Sequence, residues 1–214
     1  MRNAFLGVVV MMLMASAALA QTGKHIAIGG AIGFTSYTDK DFSSKNPGFA
    51  LAYRLNLKPD REDGWKWAAK GSVGYSKRKT TTVIGGTRTA LGKLQTIPVE
   101  VGLQRSLRQG PWQVGIGIVA GPSFNHFDVD QAARDAYLSR LGTTLDGIKV
   151  KTSLEVKPEI SAWYDVNKWI GVQGAVYYLF NRPKAETTSG GVTTSSTWKT
   201  DHASASLGVV VGIL

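Results

Sequence analysis

Hydrophobic and polar residues alternate along most of this chain with a period of two. The clearest stretch is 153–183, SLEVKPEISAWYDVNKWIGVQGAVYYLFNRP. Leu154, Val156, Pro158, Ile160, Ala162, Tyr164 and Val166 fall on one face; Glu155, Lys157, Glu159, Ser161 and Trp163 fall on the other. After a tight Asp165-Val166-Asn167-Lys168 turn the alternation resumes, with Ile170, Val172, Val176, Tyr178 and Phe180 opposed to Gly171, Gln173, Ala175, Tyr177 and Leu179. Side chains of a strand point alternately to its two faces, so the pattern predicts a long antiparallel hairpin with one apolar side. Each arm exceeds the roughly five or six residues of a soluble strand. It reaches the roughly 9–11 residues that a tilted strand needs to cross a bilayer.

Eight such segments run along the chain, at about 24–35, 47–58, 65–76, 93–104, 111–124, the two arms of the hairpin, and 198–213. The connections after the second, fourth and sixth are short. Those after the first, third, fifth and seventh are long: 36–46, the basic Thr- and Gly-rich 77–92, 125–150, and the Thr/Ser/Gly-rich 181–197. Within 125–150, residues 130–141 have helical spacing, with Asp128 or Asp130 as a start and Gly142 as a stop. Pro98 removes a ladder donor and predicts a bulge or a local break in the fourth strand. Trp65, Trp67, Trp112, Trp163, Tyr164 and Trp169 collect beside the short turns, and Phe34, Tyr75, Phe124, Tyr178 and Phe180 near the opposite strand ends. Two aromatic belts of this kind mark the two interfaces of a membrane-spanning barrel.

The predicted architecture is therefore all-β: an eight-stranded antiparallel up-and-down transmembrane β-barrel over 21–214, preceded by a cleaved signal peptide over 1–20. Arg2 supplies the positive start of that peptide, 4–14 its apolar run, and Ala18-Leu19-Ala20 its cleavage site, so export by the Sec route to the bacterial outer membrane is expected. The chain has no cysteine, which excludes a disulfide frame, a thiolate metal site and a lipoprotein anchor. Its 25 glycines, many inside alternating segments, suit a narrow crowded barrel better than a soluble sheet. The formal charge of +10 calls for anionic partners. Export argues against nucleic acid and in favour of an anionic lipid surface.

The joint pattern resembles the family of small outer-membrane β-barrel proteins, the eight-stranded class that includes the OmpA transmembrane domain, OmpX and OmpW. The likeness covers 24–214 and includes strand-like segments such as QTIPVEVGLQ (95–104), VGIGIVAGP (114–122) and YYLFNRP (177–183). It implies barrel-assembly machinery as a partner during biogenesis. One departure is the end of the chain, Gly212-Ile213-Leu214, where the family carries a terminal Phe or Trp.

Candidate chemistry follows from the faces. Arg54, Lys70, Glu100, Glu155, Lys157 and Glu159 face the lumen, with Gln104, Gln113 and Gln173, and are expected to pair across it. An eight-stranded barrel is just wide enough for side chains to fill, and a buried charge is tolerable only when paired. Lys77, Arg78, Lys79, Arg88 and Lys93, in a connection without acids, are expected to meet lipopolysaccharide phosphates. Some members of the resembled family modify lipid A, and His202 with Ser204 has the H-x-S spacing of a lipid-A deacylase. The rest of that motif is missing, and His202 reads as an exposed loop-end residue. His126 reads in the same way, His25 as interfacial, and the three histidines make no metal site. No cofactor is expected. The leading expectation is a non-enzymatic barrel with a structural or surface-interaction role through its outer loops. The alternatives are a narrow solute channel, a lipid-A-modifying enzyme, and a soluble exported ligand-binding barrel with the two faces inverted.

Overall fold

The computed structural model describes residues 26–37, 41–43, 48–57, 64–167 and 169–213, so the expected signal peptide, His25 and Leu214 lie outside the described residues. In chain order the elements are β1 (Ile26–Tyr37), β2 (Phe42–Ser43), β3 (Gly48–Asn56), β4 (Gly64–Ile84), β5 (Thr87–Gln109) and β6 (Trp112–Val129). Then follow α1 (Gln131–Leu141), β7 (Leu145–Val150), β8 (Ser153–Asp165), β9 (Ile170–Asn181), β10 (Lys184–Ser189), β11 (Val192–Thr197) and β12 (His202–Ile213). Eight long strands, β1, β3, β4, β5, β6, β8, β9 and β12, form one antiparallel sheet in that order. It closes because β1 pairs with β12, from Ile26 opposite Ile213 to Tyr37 opposite His202.

The alternation decides which side chains meet lipid. Val114, Ile116 and Ile118 on β6 leave 51%, 60% and 52% of their surface open on the outside, and Leu51, Val101, Leu103, Ile160 and Val209 do the same around the ring. Arg54, Lys70, Glu100, Glu155 and Glu159, at positions of opposite parity, are buried inside. A soluble ligand-binding barrel needs the reverse, so that alternative is overturned. Trp65, Trp67, Trp112, Tyr164 and Trp169 are exposed at the short-turn end. There Trp112 and Tyr164 pack ring on ring at 4.7 Å, and Arg105 lies over Trp65 at 4.8 Å. Trp163 does not join this belt: it is buried in the lumen, because its odd position on β8 turns it inward. Around Pro98 the ladder lapses, at Ile97–Pro98 on the β4 side and at Val99–Glu100 on the β6 side, and resumes in the same register, so there is a local break without a bulge.

The long connections are more ordered than their composition suggests. The stretch 77–92, expected as a loop, continues β4 and β5 into a protruding hairpin. Its turn is Gly85-Gly86, with φ of 54° and 81°. Two successive positive φ angles match a two-residue hairpin turn, which glycine enters without steric cost. The stretch 181–197, also expected as a loop, forms β10 and β11 around a second such turn at Gly190-Gly191. With β7 these make a separate three-stranded sheet. The runs of threonine that read as loop are β-branched and suit strands. The expected helix is present as α1, with Asp130 at its N-cap, although the Asp130 side chain makes no capping bond, and Gly142 ends it in the left-handed region.

These pieces form an outer head with its own core. Phe42, Ile84, Leu91, Leu94, Phe127, Ala133, Ala136, Leu145, Ile148, Val150 and Ala185 are buried together. Trp198 joins them edge-on against Phe127 at 5.2 Å. A bulge in β5 helps to build this core: Thr80 faces Gly92 but Thr81 faces Ala90, so Leu91 is the extra residue. A bulge re-aims side chains; here it lets Leu91 enter the same core as Leu94.

Two outcomes are expected. Replacing Ile116 or Val172 by Arg should cost about 2–4 kcal/mol at mid-membrane depth, read from folding equilibria in bilayers. In the head, the Asp146 carboxylate accepts the Gly191 N–H at 3.1 Å and the Thr144 hydroxyl at 2.9 Å, which holds it below the usual Asp value of 3.8. A depressed carboxyl contributes stability above its unfolded value and loses it as pH falls through the folded value. The β10–β11 turn should therefore lose amide protection, measured against intrinsic exchange rates, as pH falls through the folded value, and Asp146→Asn should remove that pH dependence of protection.

Candidate functional site in the barrel lumen

The lumen is built in layers. Near the short-turn end, Arg54 on β3 donates to Gln113 on β6 at 2.9 Å and to Ser106 on β5 at 3.1 Å. Gln113 also donates to Ser106 at 2.6 Å, and Gln104 to Ser161 at 2.7 Å. The Arg54 guanidinium stands 5.8 Å from the Trp163 ring, and the Trp163 indole N–H donates to Asp165 at 2.6 Å. Trp163 fits there because residue 171 is glycine: a Cβ at Gly171 would lie 2.3 Å from its Nε1. Arg108 pairs with Asp165 at 2.5 Å beside the turn.

In the middle, Lys70 on β4 pairs with Glu159 on β8, and Lys157 on β8 pairs with Glu100 on β5. Ser72 donates to Glu100 as well. Glu155 accepts from Asn181 at 3.2 Å. Glu100 and Glu155 are each 1% exposed. The paired strands are not neighbours in the ring: β5 and β6 stand between β4 and β8, and β6 between β5 and β8, so the pairs bridge through the lumen. A carboxylate and an ammonium in this setting survive only because each neutralises the other. Lys157 also lies 5.0 Å from the Tyr177 ring.

Toward the outer end Asn181 is a hub. Its amide donates to Ser123 and Glu155, its side-chain oxygen accepts from Ser153 at 2.7 Å, its backbone N–H donates to Asp201, and its carbonyl accepts from Thr200. Around the central pairs lies a cavity of about 140 Å³, with Lys70, Glu100, Lys157, Glu159, Arg78 and His202 in its wall. At ~30 Å³ per liquid water, it has room for a few water molecules.

Residues 5–147 match the family model described as the outer membrane protein β-barrel domain. The chain belongs to that family. Its structure is similar to the outer membrane protein OprG from Pseudomonas aeruginosa, with a TM-score of 0.67 at 14% identity, over 89% of this chain and 96% of that one. It is also similar to a major outer membrane protein from Thermus thermophilus, with a TM-score of 0.53 at 11% identity, over 89% and 99%. The third likeness is to the outer membrane protein AlkL, with a TM-score of 0.51 at 14% identity, over 89% and 90%. At these identities the likeness is one of fold. No curated protein matches the sequence. The protein is a β-barrel of the bacterial outer membrane.

Within this family member the sequence-derived residues fall into two groups. Arg54, Lys70, Glu100, Glu155, Lys157 and Glu159 all lie inside, bound as described. The five basic residues of 77–93 do not stay together. Lys77 and Lys79 are exposed on the outer wall and Lys93 is half-buried beside them. Arg78 is buried at 4% exposure, because alternation turns it into the lumen. Arg88 sits on the protruding hairpin, paired with Asp41 at 2.8 Å.

His202 is not an exposed loop-end residue: it is 4% exposed, with its ring Nδ1 2.9 Å from the Thr200 carbonyl oxygen. Ser204 shares the inward face, and its hydroxyl donates to Thr35 at 2.9 Å. Ser123 is buried, whereas His126 points outward to Asp128 at 3.0 Å. Among the described residues, no cluster of three His, Cys, Asp or Glu could hold a metal ion.

The reading from sequence missed Ser106, Ser123, Asn181 and Thr200, which complete the network. Ser106, Ser123 and Asn181 are small polar residues at inward strand positions, which the parity that places the charges also finds; Thr200 lies between β11 and β12, where no strand parity applies. Removing Glu159 alone strands the Lys70 ammonium and should cost about 3–5 kcal/mol. Lys70→Met combined with Glu159→Leu should cost less than the sum of the single changes, read by denaturant titration of all three variants.

Proposed function

We propose that this protein is a non-enzymatic outer-membrane anchor with a filled lumen, which presents its folded outer head to the cell's surroundings in a structural or surface-interaction role. The observation that carries the reading is the set of charge pairs that cross mid-barrel, Lys70 with Glu159 and Lys157 with Glu100. Side chains committed to each other across the width of an eight-stranded barrel leave little free section for a solute. The head supports the other half of the reading. A stretch of loops needs no buried core of aromatic and aliphatic residues, but a surface that must hold a defined shape does.

The alternative of a narrow channel is favoured by the 140 Å³ cavity around the pairs. Planar-bilayer recording separates the two. The anchor reading expects background conductance from the wild-type protein, and a rise in conductance when Lys70 and Glu159 are both replaced by Ala. A steady unit conductance in the wild type, unchanged by that substitution, makes the channel the function.

A further inference from the structure

We infer that the outer wall of β4, β5 and β6 carries a binding site for the phosphates of an anionic outer-leaflet glycolipid, formed by Lys77, Lys79 and Lys93. The inference starts from register. Tyr75, Ile97 and Phe124 form the last apolar rung of this wall, with Tyr75 and Phe124 in the outer aromatic belt. One outward position higher stands the rung Lys77–Gln95–His126, and above it Lys79–Lys93–Asp128. At about 3.3 Å per residue these rungs lie roughly 7 and 13 Å along the strands from the belt. Strand tilt shortens both heights, and the headgroup layer on each side of a bilayer is about 5–8 Å thick. A lysine ammonium reaches down along its own apolar stem, so all three can touch that layer.

The three basic charges on this wall are only partly compensated: its single acid among the described residues, Asp128, stands opposite Lys93 and feels the charge of Lys77. Lys79 and Lys93 stand directly opposite each other across the ladder. Like charges in that position destabilise a sheet unless an anion joins them. Among the described residues, the side chains of Lys77, Lys79 and Lys93 make no ion pair or hydrogen bond, whereas Lys151 pairs with Glu186, Arg182 with Asp201 and Arg88 with Asp41. The one acid on the wall, Asp128, has both oxygens engaged, one by Gln95 at 2.6 Å and the other by His126 at 3.0 Å. Three cations against one committed carboxylate, above an aromatic belt and facing away from the barrel, complement a phosphate lying in the headgroup plane. Arg78 and Arg88 are outside the site, the first turned into the lumen and the second on the hairpin tip.

The test uses the full-length protein refolded into phosphatidylcholine vesicles with either bisphosphorylated lipid A or its dephosphorylated form. Lipid retained after gentle detergent extraction is measured by mass spectrometry. The wild type should retain the bisphosphorylated form selectively. Each basic residue near a membrane surface contributes roughly five-fold, so Lys77→Gln/Lys79→Gln/Lys93→Gln should weaken retention on the order of a hundredfold. A control triple on the head, Lys149→Gln/Lys151→Gln/Lys184→Gln, should retain the lipid as the wild type does. Heat-shifted gel mobility shows that each variant is folded. The inference is overturned if the neutral lipid is retained equally, or if the head triple loses as much. It is also overturned if inorganic phosphate alone protects the three lysines from acylation in lipid-free detergent, since the site would then take free phosphate.

Discussion

Inside a bilayer no water can satisfy an unpaired amide, so a strand that crosses must be hydrogen-bonded along both edges. The β1–β12 ladder meets that constraint, joining the first described strand to the last over twelve residue pairs. Much else in the barrel follows from it. Closure requires every strand to turn one row of side chains outward and the other into a space of fixed width. The outward row must be apolar. The inward row must fill the lumen and, being cut off from bulk solvent, must satisfy itself. Lys70 with Glu159, Lys157 with Glu100 and the Arg54 cluster are the result.

Glycine resolves the crowding that closure creates. Trp163 lies over Gly171, and a Cβ at Gly115 would lie 2.2 Å from the Gln104 amide nitrogen. The large residue on one strand and the missing side chain on the next form a single packing unit, in which neither makes sense alone. This explains why glycine occurs inside strands that would be weakened by it in water.

The barrel was legible in the sequence because its signal is a simple parity repeated eight times. Strand faces and the short turns follow from it, while the helix expected over 130–141 was legible from its own helical spacing and its Asp and Gly end signals. The outer head was not legible, for a physical reason. Its strands pair beyond the membrane, where one face meets solvent and threonine, serine and lysine can replace the apolar row, so 77–92 and 181–197 look like loops. What makes them strands is non-local: Ile84, Leu91 and Ala185 share a core with Phe127 and α1 residues. Three single residues show a second limit. Trp163, Arg78 and His202 keep misleading company along the chain, in an aromatic cluster, a basic run and a loop end. Parity alone places all three inside.

The β4–β5 ribbon runs from the short turns through the membrane wall to the tip of the head, over 21 and 23 residues, interrupted by the local break at Pro98 and the bulge at Leu91. At about 3.3 Å per residue this is a beam of roughly 70 Å, the greater part of it clamped on both edges. A head carried on such a beam differs mechanically from one hung on flexible loops. It cannot swivel to search for a partner, and any sideways pull on it arrives as torque on the barrel wall. The molecule resembles a mast stepped in a hull: what the head touches, the membrane feels.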